Sequence, residues 1–397
     1  MPHARRRFLV SSAAAFGMAA CHRNAVSPTA VGASRRPYGD RSPFETAARL
    51  FQPGVTPGTG SSRAPLQDAR GIITPSSLHF ERHHAGVPTI DPRRHKLLIH
   101  GLVSRPLTFT MEDLVRFPSC SRIHFIECAG NSAREHGGRP GANAQQSHGL
   151  VSCSEWTGVM LSTLLGEVGL QSSATWIIAE GADACRLARS IPLQKAMTDV
   201  MVAYGQNGEA LRPEQGYPLR LLVPGWEGNV NIKWLHRLHI SNQPAMTREE
   251  AATYTDLMPN GLARQFTFEM DVKSVITRPS GGHVLPVRGP YEISGLAWSG
   301  RGRVSRVEIS VGDSQWYDST LSEPVLTKAF TRFTLPWTWD GRDTRLRSRA
   351  TDETGDRQPE REELITVRGL HPGPDGFNHY NGIKEWHVQR DGTVSHV

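Results

Sequence analysis

No two cysteines are spaced as CxxC among the 397 residues, and no CxxCH occurs. The first absence excludes a zinc or iron–sulfur site built on a CxxC pair, and the second a covalent c-type haem on this chain. No GxGxxG or phosphate-loop pattern is present, so a dinucleotide-binding βαβ unit and a P-loop are not expected. Long runs of like charge are also missing. The formal charge of +7 falls to +4 once Arg5, Arg6 and Arg7 are set aside. Basicity this mild and diffuse suits an anionic substrate or an acidic partner and excludes nucleic acid. The apolar stretch near the N-terminus is short and Ala-rich, below the length needed to span a bilayer.

At that N-terminus, "MPHARRRFLVSSAAAFGMAAC" places Arg5-Arg6 and then Phe8-Leu9 before the Ala-rich stretch. This resembles a twin-arginine export signal over residues 1–30 and implies a periplasmic protein. Cys21 matches a lipoprotein acceptor poorly because of Met18. Residues 31–70 are rich in Pro, Gly, Ser and Arg and read as an extended arm. The length calls for two domains. Over 71–261 strands and helices alternate irregularly, which predicts a mixed α+β domain. "HKLLIHGLV", "RIHFIEC", "TWIIAEGAD" and "PLRLLVPG" read as strands. Thr110 starts a helix, and "TGVMLSTLLGEVGL" is an amphipathic one ending near Gly169. Over 262–397 the pattern becomes all-β, with Phe333, Leu335, Trp337 and Trp339 at period two and Asp340-Gly341 as a hairpin turn. An immunoglobulin-like β-sandwich that supports assembly is expected there.

Cys128 ends an apolar strand and runs straight into "AGN". A lone cysteine is commonly inert core, but a thiol presented at such a turn could attack a carbonyl or ligate a soft metal. Arg82 lies among His79, His83 and His84 before a Pro-bounded turn, and an arginine fork grips oxyanions. Arg220 and Lys233 flank a Pro-Gly turn where both could face one phosphate. Trp156 and Tyr254 add an indole and a phenol.

Taken in order, Phe80, Arg82 and His84, then "CAGN" at Cys128–Asn131, "WTG" at Trp156, Asp183, Arg220 in "GYPLR", Lys233 in "KWL" and Tyr254 resemble the sulfite oxidase family of molybdopterin enzymes over nearly the whole chain. "QQSHGLVSCSEWTGV", "YEISGLAWSGRGRV" and "NGIKEWHV" resemble one branch, the molybdenum subunits of bacterial Sox sulfane dehydrogenases. The resemblance implies a molybdopterin-binding α+β domain followed by a β-sandwich dimerisation domain, and a molybdenum–molybdopterin cofactor with Cys128 as the thiolate ligand. It implies further that Arg82 holds the anionic end of the substrate, Tyr254 hydrogen-bonds beside the metal and Trp156 walls the pocket. His84, Asp183, Arg220 and Lys233 would anchor the pterin, and Phe80, His83, Asn231 and Ile232 would line it. A c-type cytochrome as electron acceptor and a Sox sulfur-carrier protein as donor are the implied partners, with a homodimer core.

Two positions depart from the family pattern. Ala133 stands where family sulfite oxidases have an arginine, and Gln215 stands where they have a histidine. With a longer loop between Asn131 and Trp156, the first change suits a carrier-bound sulfur chain over free sulfite; Gln215 can still bond a phosphate. A dehydrogenase for free sulfite, a metal-free cysteine hydrolase using Cys128 and one of the histidines, such as His124 or His136, and a metal-free binding module are the rival expectations.

Overall fold

Apolar residues that alternate in short runs between Gly, Pro and Asp turns fold here almost wholly into strands. The computed structural model describes residues 37–312, 315–370 and 377–397. The expected export signal and Cys21 lie outside these residues. Residues 37–46 fall in a separate unit and are exposed, without helix or strand, whereas residues 47–397 pack as one unit.

Three sheets build the first half of that unit. A small antiparallel sheet joins Leu50–Pro53, Gly60–Arg63 and Glu81–His83. The segment expected as an extended arm is therefore folded in part, because Gly60 and Thr59 close a hairpin that pairs Leu50 with Arg63. A second sheet pairs Ser119–Glu127 with Val151–Met160 over nine residues, and Val151–Met160 in turn with Met201–Gln206. The third is mixed: Lys96–Gly101 and Leu235–Ser241 run parallel, flanked by antiparallel neighbours. Thr110 starts a one-turn helix, Met111–Leu114, through a reciprocal capping box with Asp113. Helix Leu161–Val168 buries Leu161, Leu164, Leu165 and Val168 and stops at Gly169, whose φ of +68° a residue with a side chain rarely adopts. The preceding "TGVM", expected to be helical, instead completes the strand.

The second half is a two-sheet sandwich. Lys273–Arg278, Gly289–Trp298 and Thr331–Trp339 form one sheet with Thr320–Leu321. Val304–Val311, Thr344–Asp352, Glu385–Val388 and two shorter strands form the other. Asp340-Gly341 is not a hairpin turn: Thr331–Trp339 pairs with Gly289–Trp298, while Thr344–Asp352 pairs with Val304–Val311, so the chain crosses between sheets there. One apolar core runs through both halves, from Phe125 and Trp156 to Val275, Trp298 and Phe333. Among the described residues no helix is long and apolar enough to cross a membrane.

Candidate active site

The strand Ser119–Glu127 delivers Cys128 to the floor of a cleft with about 690 Å³ of empty space. The turn after it is locked by buried Asn131, whose Oδ1 accepts from Leu150 N at 3.0 Å and whose Nδ2 donates to Glu127 at 2.9 Å. The backbone of Cys128 donates to Leu150 O at 2.9 Å. The turn at 228–231 lies directly against this strand end. A Cβ on Gly228 would sit 2.9 Å from Glu127 O and 3.3 Å from the Cys128 Cα, so only glycine permits the approach. Burial pushes the Cys128 thiol above its ordinary range, opposed by the Gly130 N–H and the charges of Arg82 and Arg63.

The rest of the cleft is lined by Arg82, Arg220 and Lys233 together with Glu81 and Asp183, and neither Arg220 nor Lys233 bonds a carboxylate. Arg220 is fully buried; its Nη1 donates to Gln215 O at 2.9 Å and its Nη2 to Asn231 O at 3.2 Å, while its Nε has no partner. The guanidinium lies 4.8 Å over the Trp156 ring, and burial lowers its pKa to about 9. Lys233 donates from Nζ to Arg82 O and Glu214 O, both at 3.1 Å, and reaches His83 Nδ1 at 2.9 Å. Burial and the Arg220 charge hold this amine well below its usual range. The His83 Nε2 faces Glu81 at 2.8 Å, which leaves Nδ1 to accept from Lys233. His79 is buried with its Nε2 unpartnered.

Tyr254 closes one side, following the helical turn Glu249–Thr253. Arg189 lies 5.0 Å under its ring and is fixed by Glu227 at 3.0 Å and Glu250 at 3.5 Å. Burial, with the neighbouring Cys128 and Glu227 charges, raises the phenol, so its O–H is a donor at neutral pH.

A buried guanidinium and amine bonded only to carbonyls and a neutral imidazole carry a desolvation cost that a bound phosphate would offset. Among the described residues, no three His, Cys, Asp or Glu side chains gather as a metal site. Cys128 thus offers one soft donor beside an anion cradle, which fits a metal carried by a phosphorylated organic cofactor.

Residues 84–249 match the oxidoreductase molybdopterin binding domain, and residues 264–374 the Mo-co oxidoreductase dimerisation domain. The solved structure of the sulfane dehydrogenase SoxCD from Paracoccus pantotrophus superposes with a TM-score of 0.89. It is 44% identical, covering 93% of this chain and 96% of that one. The chain belongs to the sulfite oxidase family of molybdopterin oxidoreductases. Relatives outside sulfur chemistry include the NADH nitrate reductases of Phaseolus vulgaris (33% identical over 307 residues) and Ulva prolifera (31% over 302). Each match covers 68% of this chain and 34% of the relative, so the chain spans about a third of their length.

As a member of this family the chain takes the molybdenum–molybdopterin cofactor, and the cleft assembles nearly all of the residues expected from the sequence. Phe80, Arg82, His83, His84, Cys128, Asp183, Arg220, Asn231, Ile232, Lys233 and Tyr254 all line it. Asn231 does so through its backbone, since its side chain is spent on Val223 N and Glu227 O. Trp156, expected as a pocket wall, is not there. It is fully buried behind Arg220, with its Nε1 donating to His124 O at 3.1 Å, and supports the cleft from beneath. Gln215 donates to Phe80 O at 2.9 Å and so braces the wall.

His79, Asn229 and Trp234 also line the cleft, but no role was assigned to them from the sequence. His79 lies beside Arg82 in the sequence, and its unpartnered Nε2 is visible only in three dimensions. His124 and His136 do not serve as a base for Cys128: they lie outside the cleft, on Lys328 O and Gly369 O.

Two buried imidazoles, His79 and His83, and the half-buried His84 make the cofactor-free protein acid-sensitive. Burial lowers His79 and His83 to about 3 and His84 to about 4. The unfolded chain protonates these groups below its ordinary value near 6.5 while the folded chain does not, so stability falls as pH drops from about 6.5 towards these values. Each fully buried imidazole contributes up to about 1.4 kcal/mol per pH unit. Urea midpoints of cofactor-free protein between pH 7 and 4 should fall, and His79→Gln should make the slope shallower. An unchanged slope in the variant would show that His79 does not titrate this way.

Proposed function

We propose that the protein is the molybdenum subunit of a sulfane dehydrogenase, oxidising sulfane sulfur held on a carrier protein. The observation that carries this is the cleft itself, in which Cys128, Arg82 and Tyr254 share one space with the unpaired cations Arg220 and Lys233. The likeness to SoxCD, at 44% identity, supports the choice of substrate class. When bound, the cofactor supplies two-electron oxidation of the substrate sulfur, with the added oxygen drawn from water.

The chain's own residues do the rest. Arg220 and Lys233 hold the phosphate, while His84 and Asp183 hold the pterin, and Trp156 keeps the Arg220 guanidinium in place. Arg82 fixes the anionic end of the substrate and favours charge that builds up during transfer. Tyr254 donates its O–H towards the reacting atoms, and its ring is steadied by Arg189. Cys128 provides the thiolate, losing its proton as the metal binds.

No haem motif lies in these residues, which favours a separate c-type cytochrome as acceptor. The C-terminal sandwich serves a homodimer, and the twin-arginine pattern sends the protein to the periplasm. Free sulfite is the second reading, on the same scaffold.

Molybdenum and pterin analysis of protein isolated from the periplasm, with turnover measured on sulfite and on thiosulfate-loaded carrier, tests this reading. Near-stoichiometric metal with preference for the carrier is the expected result. Preference for sulfite would move the substrate to the second reading. Metal-free protein that is fully active on either substrate would end the molybdenum reading.

A further inference from the structure

A second cleft, with about 760 Å³ of empty space, opens beside the Cys128 turn. Gly130, Ser132 and Ala133 form one side of it, and Arg63, Arg134 and Arg139 line it with positive charge. Arg63 is 6% exposed; its Nε donates to Gln52 at 2.9 Å and its Nη1 is buried without a partner. No hydrogen bond or ion pair engages the side chains of Arg134 and Arg139 among the described residues. The acid in the lining, Glu135, is already spent on Gly141 N and Lys384 Nζ, both at 2.9 Å.

The sheet register ties Arg63 to the active site. Ser61 pairs with Arg82, and Arg63 lies two residues beyond Ser61 on the same strand. Side chains two apart share a face, so Arg63 and Arg82 project from one face as diagonal neighbours, about 7–8 Å apart. Both guanidinium charges act on the Cys128 thiol. Ala133 lines this second cleft with no more than a methyl group.

We propose that this cleft is a second oxyanion subsite, in which Arg63, with Arg134 and Arg139 towards its mouth, binds the sulfonate or sulfate oxygens of the sulfur substrate or product. The inference rests on the sulfur-oxidising reading above and deepens it: the anion is a tetrahedral sulfur oxyanion, held by Arg63 in a cleft next to the one that Arg82 lines. A guanidinium with a buried, unpaired N–H gains most from a partner able to accept two parallel bonds.

The test uses the holoenzyme and selenate, a tetrahedral dianion visible by anomalous diffraction. Selenate should lie against Arg63, and Arg63→Gln should weaken its equilibrium binding by about tenfold to a hundredfold, the scale of a lost charge-assisted bond. With sulfite as the kinetic probe, the same variant should raise KM far more than it lowers kcat, and Arg63→Lys should recover part of the loss. Arg139→Gln, at an exposed position that cannot disturb folding, should weaken selenate binding by a few fold and flatten its salt dependence.

Inhibition of sulfite turnover by selenate assigns the subsite to substrate, and inhibition only after product accumulates assigns it to sulfate release. Selenate bound solely at Arg220 and Lys233, or unchanged binding in both variants, overturns the subsite. Selenate held at Arg63 in a holoenzyme that oxidises neither sulfite nor carrier sulfane would keep the subsite and discard the sulfur-oxidation reading.

Discussion

Serine in place of Cys128 is expected to abolish turnover, by more than about the hundredfold that even supporting residues of a metal site can cost. The substitution changes one atom, so the turn locked by Asn131 survives. The chemistry does not survive it. A serine hydroxyl is a hard donor that stays protonated at neutral pH, whereas the thiol loses its proton to a soft metal. Arg82, Arg63 and the Gly130 N–H already favour that loss against the pull of burial. Pterin retention should persist in the variant, since Arg220 and Lys233 are untouched. Activity and pterin content measured together separate the two roles; a variant with more than a tenth of normal turnover would sink Cys128 as the metal ligand.

Lys273→Met is expected to cost about 3–5 kcal/mol of stability, the usual penalty for leaving one charge of a buried pair alone. Lys273 Nζ lies 2.6 Å from Glu127, and both side chains are almost wholly excluded from water. Glu127 further accepts from Asn131 at 2.9 Å and from Trp298 Nε1 at 2.7 Å. Lys273 and Trp298 are cross-strand partners in the C-terminal sandwich, so that domain grips the residue immediately before Cys128. Removing the amine leaves the carboxylate with only neutral donors. Adding Glu127→Gln should restore part of the loss, giving a double-mutant coupling that denaturant midpoints can read. A single-variant loss below about 1 kcal/mol would mean that Lys273 is not what offsets the burial of Glu127.

These two outcomes bear on Cys128 and on Glu127, the residue before it, but only Cys128 was legible beforehand. Its place at a strand end, the capping box at Thr110 and the stop at Gly169 are local facts, settled by residues within a few positions of each other. The ordered set from Phe80 to Tyr254 was legible as a family resemblance, and the cleft brings all of it together except Trp156. A strand shows its side chains alternately to two faces, and the sequence does not say which face meets the cleft. Pairing of Val151–Met160 with its neighbours turns Trp156 into the core, where it supports Arg220 instead of lining the wall. Asp340-Gly341 failed similarly: its turn chemistry is local, but whether the next strand folds back or crosses to the other sheet is decided by packing.

Arg63 is the plainest case. Its neighbourhood is rich in Pro, Gly and Ser, the composition of a linker, and nothing near it in sequence marks it as a binding residue. Only the pairing of Gly60–Arg63 with Glu81–His83 sets it beside Arg82. The sequence by itself determined the chemistry available to this protein: a thiol at a strand end, Cys128, an arginine fork, Arg82, and a basic pair, Arg220 and Lys233. The tertiary structure decided which charges stay unpaired, because desolvation and strand register depend on residues far apart along the chain.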